Sequence, residues 1–174
     1  MLELVAQNEF DAVFNIMKNS FPSDEYRSYS AQKQLLHEKR YRLYCVKNNG
    51  NISAFVAIWV FDSFLFVEHI AVEACIRGRG TGTYILRALS QMYNMPICLE
   101  VEPPADDVTC RRINFYRNNG FCLNEYDYVQ PAMDVGKNEI PLMIMSSGNL
   151  LSENEFDRVK DTLYHFVYKT GEQI

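Results

Sequence analysis

The sequence predicts an α+β fold, a mixed sheet flanked by helices. Three observations carry that prediction. Apolar runs over residues 41–47, 52–61 and 64–72 follow one another through short polar turns, as neighbouring strands do. Helix-spaced segments lie between other strands rather than after every one, which implies a mixed sheet and not a strictly alternating one. The chain has 174 residues, 48% hydrophobic and 22% charged, enough for one domain over residues 1–174 with a real core.

The elements follow in order. Leu2 and Leu4 alternate with polar neighbours and suggest a short first strand. Over residues 8–19, Phe10, Val13, Phe14 and Met17 fall at helical spacing, and Phe21-Pro22-Ser23-Asp24 ends that helix. Ser30 reads as the cap of a second helix with Leu35 and Leu36 on its apolar face. Asn48-Asn49-Gly50-Asn51 is a hairpin turn between the strands 41–47 and 52–61, the second of which carries Trp59. Asp62-Ser63 turns the chain into the strand 64–72. Residues 80–93 form a helix with Ile85, Leu86 and Leu89 facing inward. A strand over 97–102 stops at Pro103-Pro104, and a short helix over 111–118 ends at Gly120. Strands over 121–126 and 142–146 flank a polar loop at 131–139. Ser152 starts a long last helix that buries Phe156, Val159, Leu163 and Phe166.

Composition excludes several function classes. A net charge of −5 and a pI near 5.2 argue against nucleic acid as the main partner and favour cationic small molecules or basic peptide segments. Cys45, Cys75, Cys98, Cys110 and Cys122 show neither C-x-x-C pairing nor metal-ligand spacing, and read as reduced core residues with no metal site. No signal peptide opens the chain, and no apolar run approaches the ~18 residues of a spanning helix. A cytoplasmic protein without a membrane partner is expected.

The stretch richest in chemistry is Val67-Glu68-His69-Ile70-Ala71-Val72 followed by Arg77-Gly78-Arg79-Gly80-Thr81-Gly82. A strand runs out, the chain turns, and a glycine-rich loop opens a helix. The first amides of a helix lack intrahelical acceptors and lie at the positive end of its dipole. An anion there satisfies the amides of residues such as Thr81, Gly82 and Thr83. Gly78, Gly80 and Gly82 admit close backbone approach, and Arg77 and Arg79 add positive charge. The loop is not a Walker motif, since no lysine follows the glycines, and its spacing is not that of G-x-G-x-x-G. A plain tight turn is the alternative reading of the loop by itself.

A second landmark is Arg112-Ile113-Asn114-Phe115-Tyr116-Arg117-Asn118-Asn119-Gly120-Phe121. Together the two segments resemble the GNAT superfamily of acyl-CoA-dependent N-acyltransferases. Arg77-x-x-Gly80-x-Gly82 is similar to that family's R/Q-x-x-G-x-G/A loop, and Ile70-Ala71-Val72 to the strand before it. Phe115 to Phe121 is similar to its later F-Y-x-x-x-G-F segment, and Leu99-Glu100-Val101 lies between the two as expected. The resemblance covers about Leu2 to Ser146. It implies a mostly antiparallel central sheet of about seven strands over a core of residues 1–147, with the helix at 151–170 as an addition that packs on the sheet. It implies that acetyl-CoA is the co-substrate, held by Ile70, Ala71, Val72, Arg77, Gly78, Arg79, Gly80, Thr81, Gly82, Thr83, Asn114 and Tyr116. Arg111 and Arg112 are candidates for the 3′-phosphate or for a local cap. One departure stands out: many members carry Asn where this chain has Thr109.

Acyl transfer to an amine needs a proton acceptor, an oxyanion contact and a proton donor for the departing thiolate. By resemblance Tyr116 is the donor, and the oxyanion contact is a main-chain amide near residues 70–72. Glu68 and Glu100 are candidates for the base, with Glu102 behind them. Strand alternation places Glu68 with Phe66, Ile70 and Val72, and His69 on the opposite face as a core or supporting residue. His37 and His165 have no nameable partners. The segment Phe21-Pro22-Ser23-Asp24-Glu25-Tyr26-Arg27 is implied to form part of the acceptor wall. With Glu68, Glu100 and Glu102 that wall would be acidic. The expected activity is acetyl transfer from acetyl-CoA to a primary amine of a small molecule or peptide, by a monomer or homodimer. A non-catalytic acyl-CoA sensor or partner-binding module is the alternative, and nucleotide hydrolysis fits poorly.

Overall fold

The first strand follows the expected alternation only in part: Leu2 is buried and Glu3 exposed, but Leu4, at the end of the strand, is exposed as well. The computed structural model describes residues 1–170. They group into two compact units divided between Ile97 and Cys98, and the last four residues of the expected 1–174 domain lie outside the described residues.

The first unit contains β1 (Leu2–Leu4), α1 (Phe10–Ser20), α2 (Tyr29–Gln34), β2 (Tyr41–Asn48), β3 (Asn51–Val60), β4 (Leu65–Val72) and α3 (Thr81–Tyr93). Its strands pair antiparallel in the order β1-β2-β3-β4. The β2–β3 hairpin closes as its sequence requires, with Asn49 and Gly50 at φ 50° and 80°. α1 packs Phe10, Val13, Phe14, Ile16 and Met17 against β3 and β4, and α3 packs Ile85, Leu86 and Leu89 on β4.

α2 departs from expectation. Its cap is Ser28 rather than Ser30, and it ends before Leu35 and Leu36, which stand half-exposed in a 3₁₀ turn (Leu35–His37). The residue α2 buries is Gln32, whose Nε2 donates to the Tyr41 hydroxyl at 3.1 Å. A buried hydrogen bond, not apolar periodicity, seats this helix.

β4 contains a bulge. Ala57 of β3 lies opposite His69, but the next residue, Ile58, lies opposite Val67, so Glu68 is an extra residue in the strand. The bulge breaks the alternation that would have set Glu68 and His69 on opposite faces: His69 Nδ1 lies 3.5 Å from Glu68 Oε2. Both side chains reach one loop. Glu68 pairs with Arg27 at 2.7 Å, and His69 Nε2 meets the Glu25 carbonyl at 2.7 Å.

The second unit takes up β5 (Ile97–Val101), α4 (Asp107–Arg117), β6 (Phe121–Gln130), β7 (Ile140–Ser147) and α5 (Glu153–Thr162). β7 pairs antiparallel with both β5 and β6. Seven strands and their flanking helices are the α+β class the sequence predicts. α4 starts four residues earlier than expected. Asp106 accepts from the Val108 and Thr109 amides, and the Thr109 hydroxyl accepts from the Asp106 amide, a reciprocal cap. Thr109 therefore has a structural reason for replacing the family's Asn.

β6 runs four residues past its expected end and carries an irregularity: Asn124 and Tyr128 pair with Ile144 and Leu142. Buried Asn124 donates to the Ile144 carbonyl and accepts from the Leu151 amide at 2.8 Å, while Tyr126 donates to the Leu151 carbonyl. Leu151 is thus fixed just before Ser152, whose capping box with Glu155 opens α5 as predicted. Phe156, Val159 and Leu163 are buried, but Phe166 is 38% exposed and Val167 takes the inner place. The cause is a π turn over Leu163–Val167, which widens the helix by one residue and shifts its period.

Of the five cysteines only Cys45 and Cys98 are buried; Cys75 is exposed, and Cys110 and Cys122 are intermediate. Packing left room for just two of them. Among the described residues no helix is long and apolar enough to cross a membrane.

The Arg27–Glu68 pair yields a stability test. Glu68's side chain has no exposed surface, and burial alone would raise its pKa. Arg27 and His69 outweigh burial and hold it at about 2, against an ordinary 4.5. The pair therefore contributes fully above pH 4.5, and the contribution fades as pH falls toward 2. Arg27→Ala should cost about 3–5 kcal/mol in urea unfolding near neutral pH, because a buried carboxylate loses its partner. The deficit should narrow as the solution is acidified through 4.5. A deficit independent of pH would contradict the ion-pair origin.

Candidate functional site

β4 ends at Val72 and the chain reaches α3 through a 3₁₀ turn (Ala74–Ile76) and residues 77–80. Gly78 and Gly80 have φ of 77° and 83°, a left-handed backbone that costs an L side chain roughly 1–2 kcal/mol. A Cβ built at either glycine would meet no atom within 4 Å, so conformation and not crowding by the protein demands glycine. Gly80 is the N-cap of α3, and no side chain caps it. The amides of Thr81, Gly82 and Thr83 open a helix of thirteen residues without a side-chain acceptor.

Arg77 and Arg79 are both exposed. Arg77 Nε donates to the Val72 carbonyl at 2.9 Å, which ties the two ends of the turn together and leaves the rest of the guanidinium outside. Ile70, Ala71 and Val72 pair with Val56, Phe55 and Ala54 of β3. The first turns of α3 flank a surface hollow lined by Gly80, Thr83, Tyr84, Arg87, Ala88 and Gln91. Arg87 stands one turn beyond Thr83 and went unnoticed in the sequence, where it reads as a solvated helix residue. The cradle as built can hold an anion: it offers free helix-terminal amides, two Cβ-free approaches and arginines at both ends.

The candidate carboxylates occupy three different environments. Glu68 is spent on Arg27, and its Oε2 and the facing His69 Nδ1 make no hydrogen bond. The residue as a whole is nevertheless partly accessible, so its exposed surface is main chain at the bulge. Glu102 pairs with Arg112 near the surface. Glu100 meets two phenols. Tyr128 donates to its Oε1, and the Tyr168 hydroxyl lies 2.8 Å from Oε1 and 2.7 Å from Oε2. The acidic wall expected from the sequence is therefore reduced, since two of its members carry a guanidinium partner.

Tyr116 lies on the buried face of α4, with its ring against Phe115 and Phe121 at 5.1 and 5.8 Å. Burial pushes its hydroxyl up to about 12, with Arg112 one turn earlier pulling the other way. Asn114 is exposed on the same helix, as is Arg111. His69 is a supporting residue of the Glu25 loop, as the sequence suggests. Tyr128 and Tyr168 were missed, and Arg27, expected as part of the acceptor wall, was not foreseen as the partner of Glu68. Each lies tens of residues from the carboxylate it serves, and no local pattern marks it.

Comparison with known proteins agrees with this geometry. Residues 39–122 match the family model described as "Acetyltransferase (GNAT) domain". The chain is 34% identical over 103 residues to "Putative acetyltransferase YjbC" of Bacillus subtilis (strain 168); the match covers 58% of this chain and about half, 52%, of that protein. Among solved structures it resembles a "Putative acetyltransferase from GNAT family" of Bacteroides thetaiotaomicron, at 29% identity and a TM-score of 0.86 over 98% of this chain and 99% of the other. It shares the fold of an aminoglycoside 6′-N-acetyltransferase solved in complex with coenzyme A, at 13% identity and a TM-score of 0.62 over 84% and 96%. Over residues 39–122 the chain is thus similar to the GNAT acetyltransferase domain, a family that draws its acetyl group from acetyl-CoA.

Proposed function

We propose that this protein moves an acetyl group from acetyl-CoA to a primary amine of a small molecule or peptide by direct transfer. The observation that carries the reading is the uncapped N-terminus of α3 behind two left-handed glycines. Its donors suit a pyrophosphate, with Arg77 and Arg79 beside it and Arg87 available to an outer phosphate. When bound, acetyl-CoA supplies an acyl carbon activated as a thioester.

The chain's own residues manage charge and protons around that carbon. A lysine-like amine, with pKa about 10.4, is neutral only about once in a few thousand molecules at neutral pH. A carboxylate must take its proton before or as the carbon–nitrogen bond forms. Glu100 is the carboxylate we assign to that task. Glu68, held at about 2 and enclosed by Arg27, is too weak and too covered a base. Its part is to hold the loop at residues 25–27 with His69. Main-chain amides of residues 70–72 and of the Glu68 bulge are the candidates for the oxyanion contact. As the carbon–sulfur bond breaks, Tyr116 gives its proton to the sulfur. Burial keeps that hydroxyl protonated at any pH near neutral.

Turnover is read by release of free thiol from acetyl-CoA in the presence of single acceptors. Primary amines should support release, and carboxylates or uncharged acceptors should not. Binding of coenzyme A without turnover of any amine would favour a sensor instead. Tyr116→Phe should lower kcat by about 10²–10⁴-fold with little change in KM for acetyl-CoA. A kcat that stays at the wild-type level would remove Tyr116 from the proton-donor role.

A further inference from the structure

Among the described residues, buried side-chain atoms without a hydrogen bond include Gln32 Oε1, Trp59 Nε1, Glu68 Oε2 and His69 Nδ1, all in the first unit. They converge on one face of β2, β3 and β4. Tyr41 of β2 stands opposite Trp59 of β3, and their rings meet edge to face at 5.5 Å. Gln32 of α2 comes down on this pair, its Nε2 donating to the Tyr41 hydroxyl at 3.1 Å. Its Oε1 is thereby held beside the two rings with nothing to accept from. On β4 the bulged Glu68 falls between the rungs of Ala57 and Ile58, with Trp59 on the next. Burial and then the charge of Glu68 push the Tyr41 hydroxyl far up, so the carboxylate is near enough to act on it. His69 Nδ1 borders the group, 3.5 Å from Glu68 Oε2.

The place is enclosed: Gln32 is 0% exposed, Trp59 is 1% exposed, and the Glu68 side chain has no exposed surface. At the rung of the bulge, β3 contributes only the methyl group of Ala57, which shares a face with Trp59. An indole N–H can only donate, while an amide oxygen and an ionised carboxylate can only accept. One donor and two acceptors are the partners of a water molecule that accepts one bond and donates two. Internal waters of native proteins make about three such bonds to buried groups that would otherwise be costly orphans.

We propose that this enclosure binds an internal water, which accepts from Trp59 Nε1 and donates to Gln32 Oε1 and Glu68 Oε2. The water joins α2 to β3 and β4. It also completes the seat of the loop at residues 25–27, which the other oxygen of Glu68 holds through Arg27 at 2.7 Å. The enclosure admits nothing as large as an acyl acceptor, and the site does not depend on the acetyl-transfer reading.

Trp59 is the only tryptophan of the chain, so its indole N–H gives one NMR signal of its kind. In the full-length wild type that proton should show a cross-peak to water. The peak should have opposite signs in laboratory-frame and rotating-frame spectra, the mark of a long-lived dipolar contact rather than of proton exchange. Tyr41→Phe removes the hydroxyl beside the indole that could relay such a signal, and the peak should persist. Gln32→Met keeps the length of the side chain and removes the acceptor, and the peak should be lost. Absence of the peak in the wild type, its loss in folded Tyr41→Phe, or its survival in folded Gln32→Met would overturn the proposal. Should Gln32→Met not fold, the wild type and Tyr41→Phe decide the question.

Discussion

Among the described residues the first turn of α3 has amide donors and no side-chain cap, and the loop before it is built around that opening. A helix of thirteen residues would ordinarily gain from an Asp, Ser or Thr at its N-cap. This one has Gly80 in a left-handed conformation, preceded by Gly78 in another. The arrangement gives up capping energy and accepts backbone strain that only glycine tolerates. What it gains is a set of aligned amides facing open space, with Arg77 laced to the end of β4 so that the cradle keeps its shape. In the proposed function, the pyrophosphate of acetyl-CoA would supply the acceptor that the helix lacks.

β4 shows the same trade in another form. Its bulge at Glu68 interrupts the ladder with β3, yet it lets two successive side chains grip one loop. The price in desolvation is offset by Arg27, which leaves Glu68 ionised but unsuited to accept a proton. Glu68 is thereby committed to the loop at residues 25–27, while Glu100, elsewhere in the chain, meets the hydroxyls of Tyr128 and Tyr168.

Much of this was legible in the sequence. The glycine loop, the hairpin at Asn49-Gly50, the inward face of α3 and the Ser152 cap are local patterns, and local chemistry decided them. The segment from Phe115 to Phe121 tied the loop to acetyl-CoA by resemblance to the family. What escaped reading depends on a partner strand or a distant residue. The Glu68 bulge exists only in its register with β3, so strand alternation misplaced His69. The capping signature at Asp106 and Thr109 stood in the sequence, masked by the preceding Pro103-Pro104. The π turn that expels Phe166 has no composition of its own. The phenols on Glu100 come from 28 and 68 residues away.

The cradle itself can be tested without altering the protein. Isothermal titration of the wild type with coenzyme A and with pantetheine compares a ligand that carries the pyrophosphate with one that lacks it. Each hydrogen bond to a charged group is worth about 1.5–3 kcal/mol, so loss of two or more predicts pantetheine binding weaker by about a hundredfold or more. Equal affinity for the two ligands would contradict the assignment of α3's open amides to the pyrophosphate.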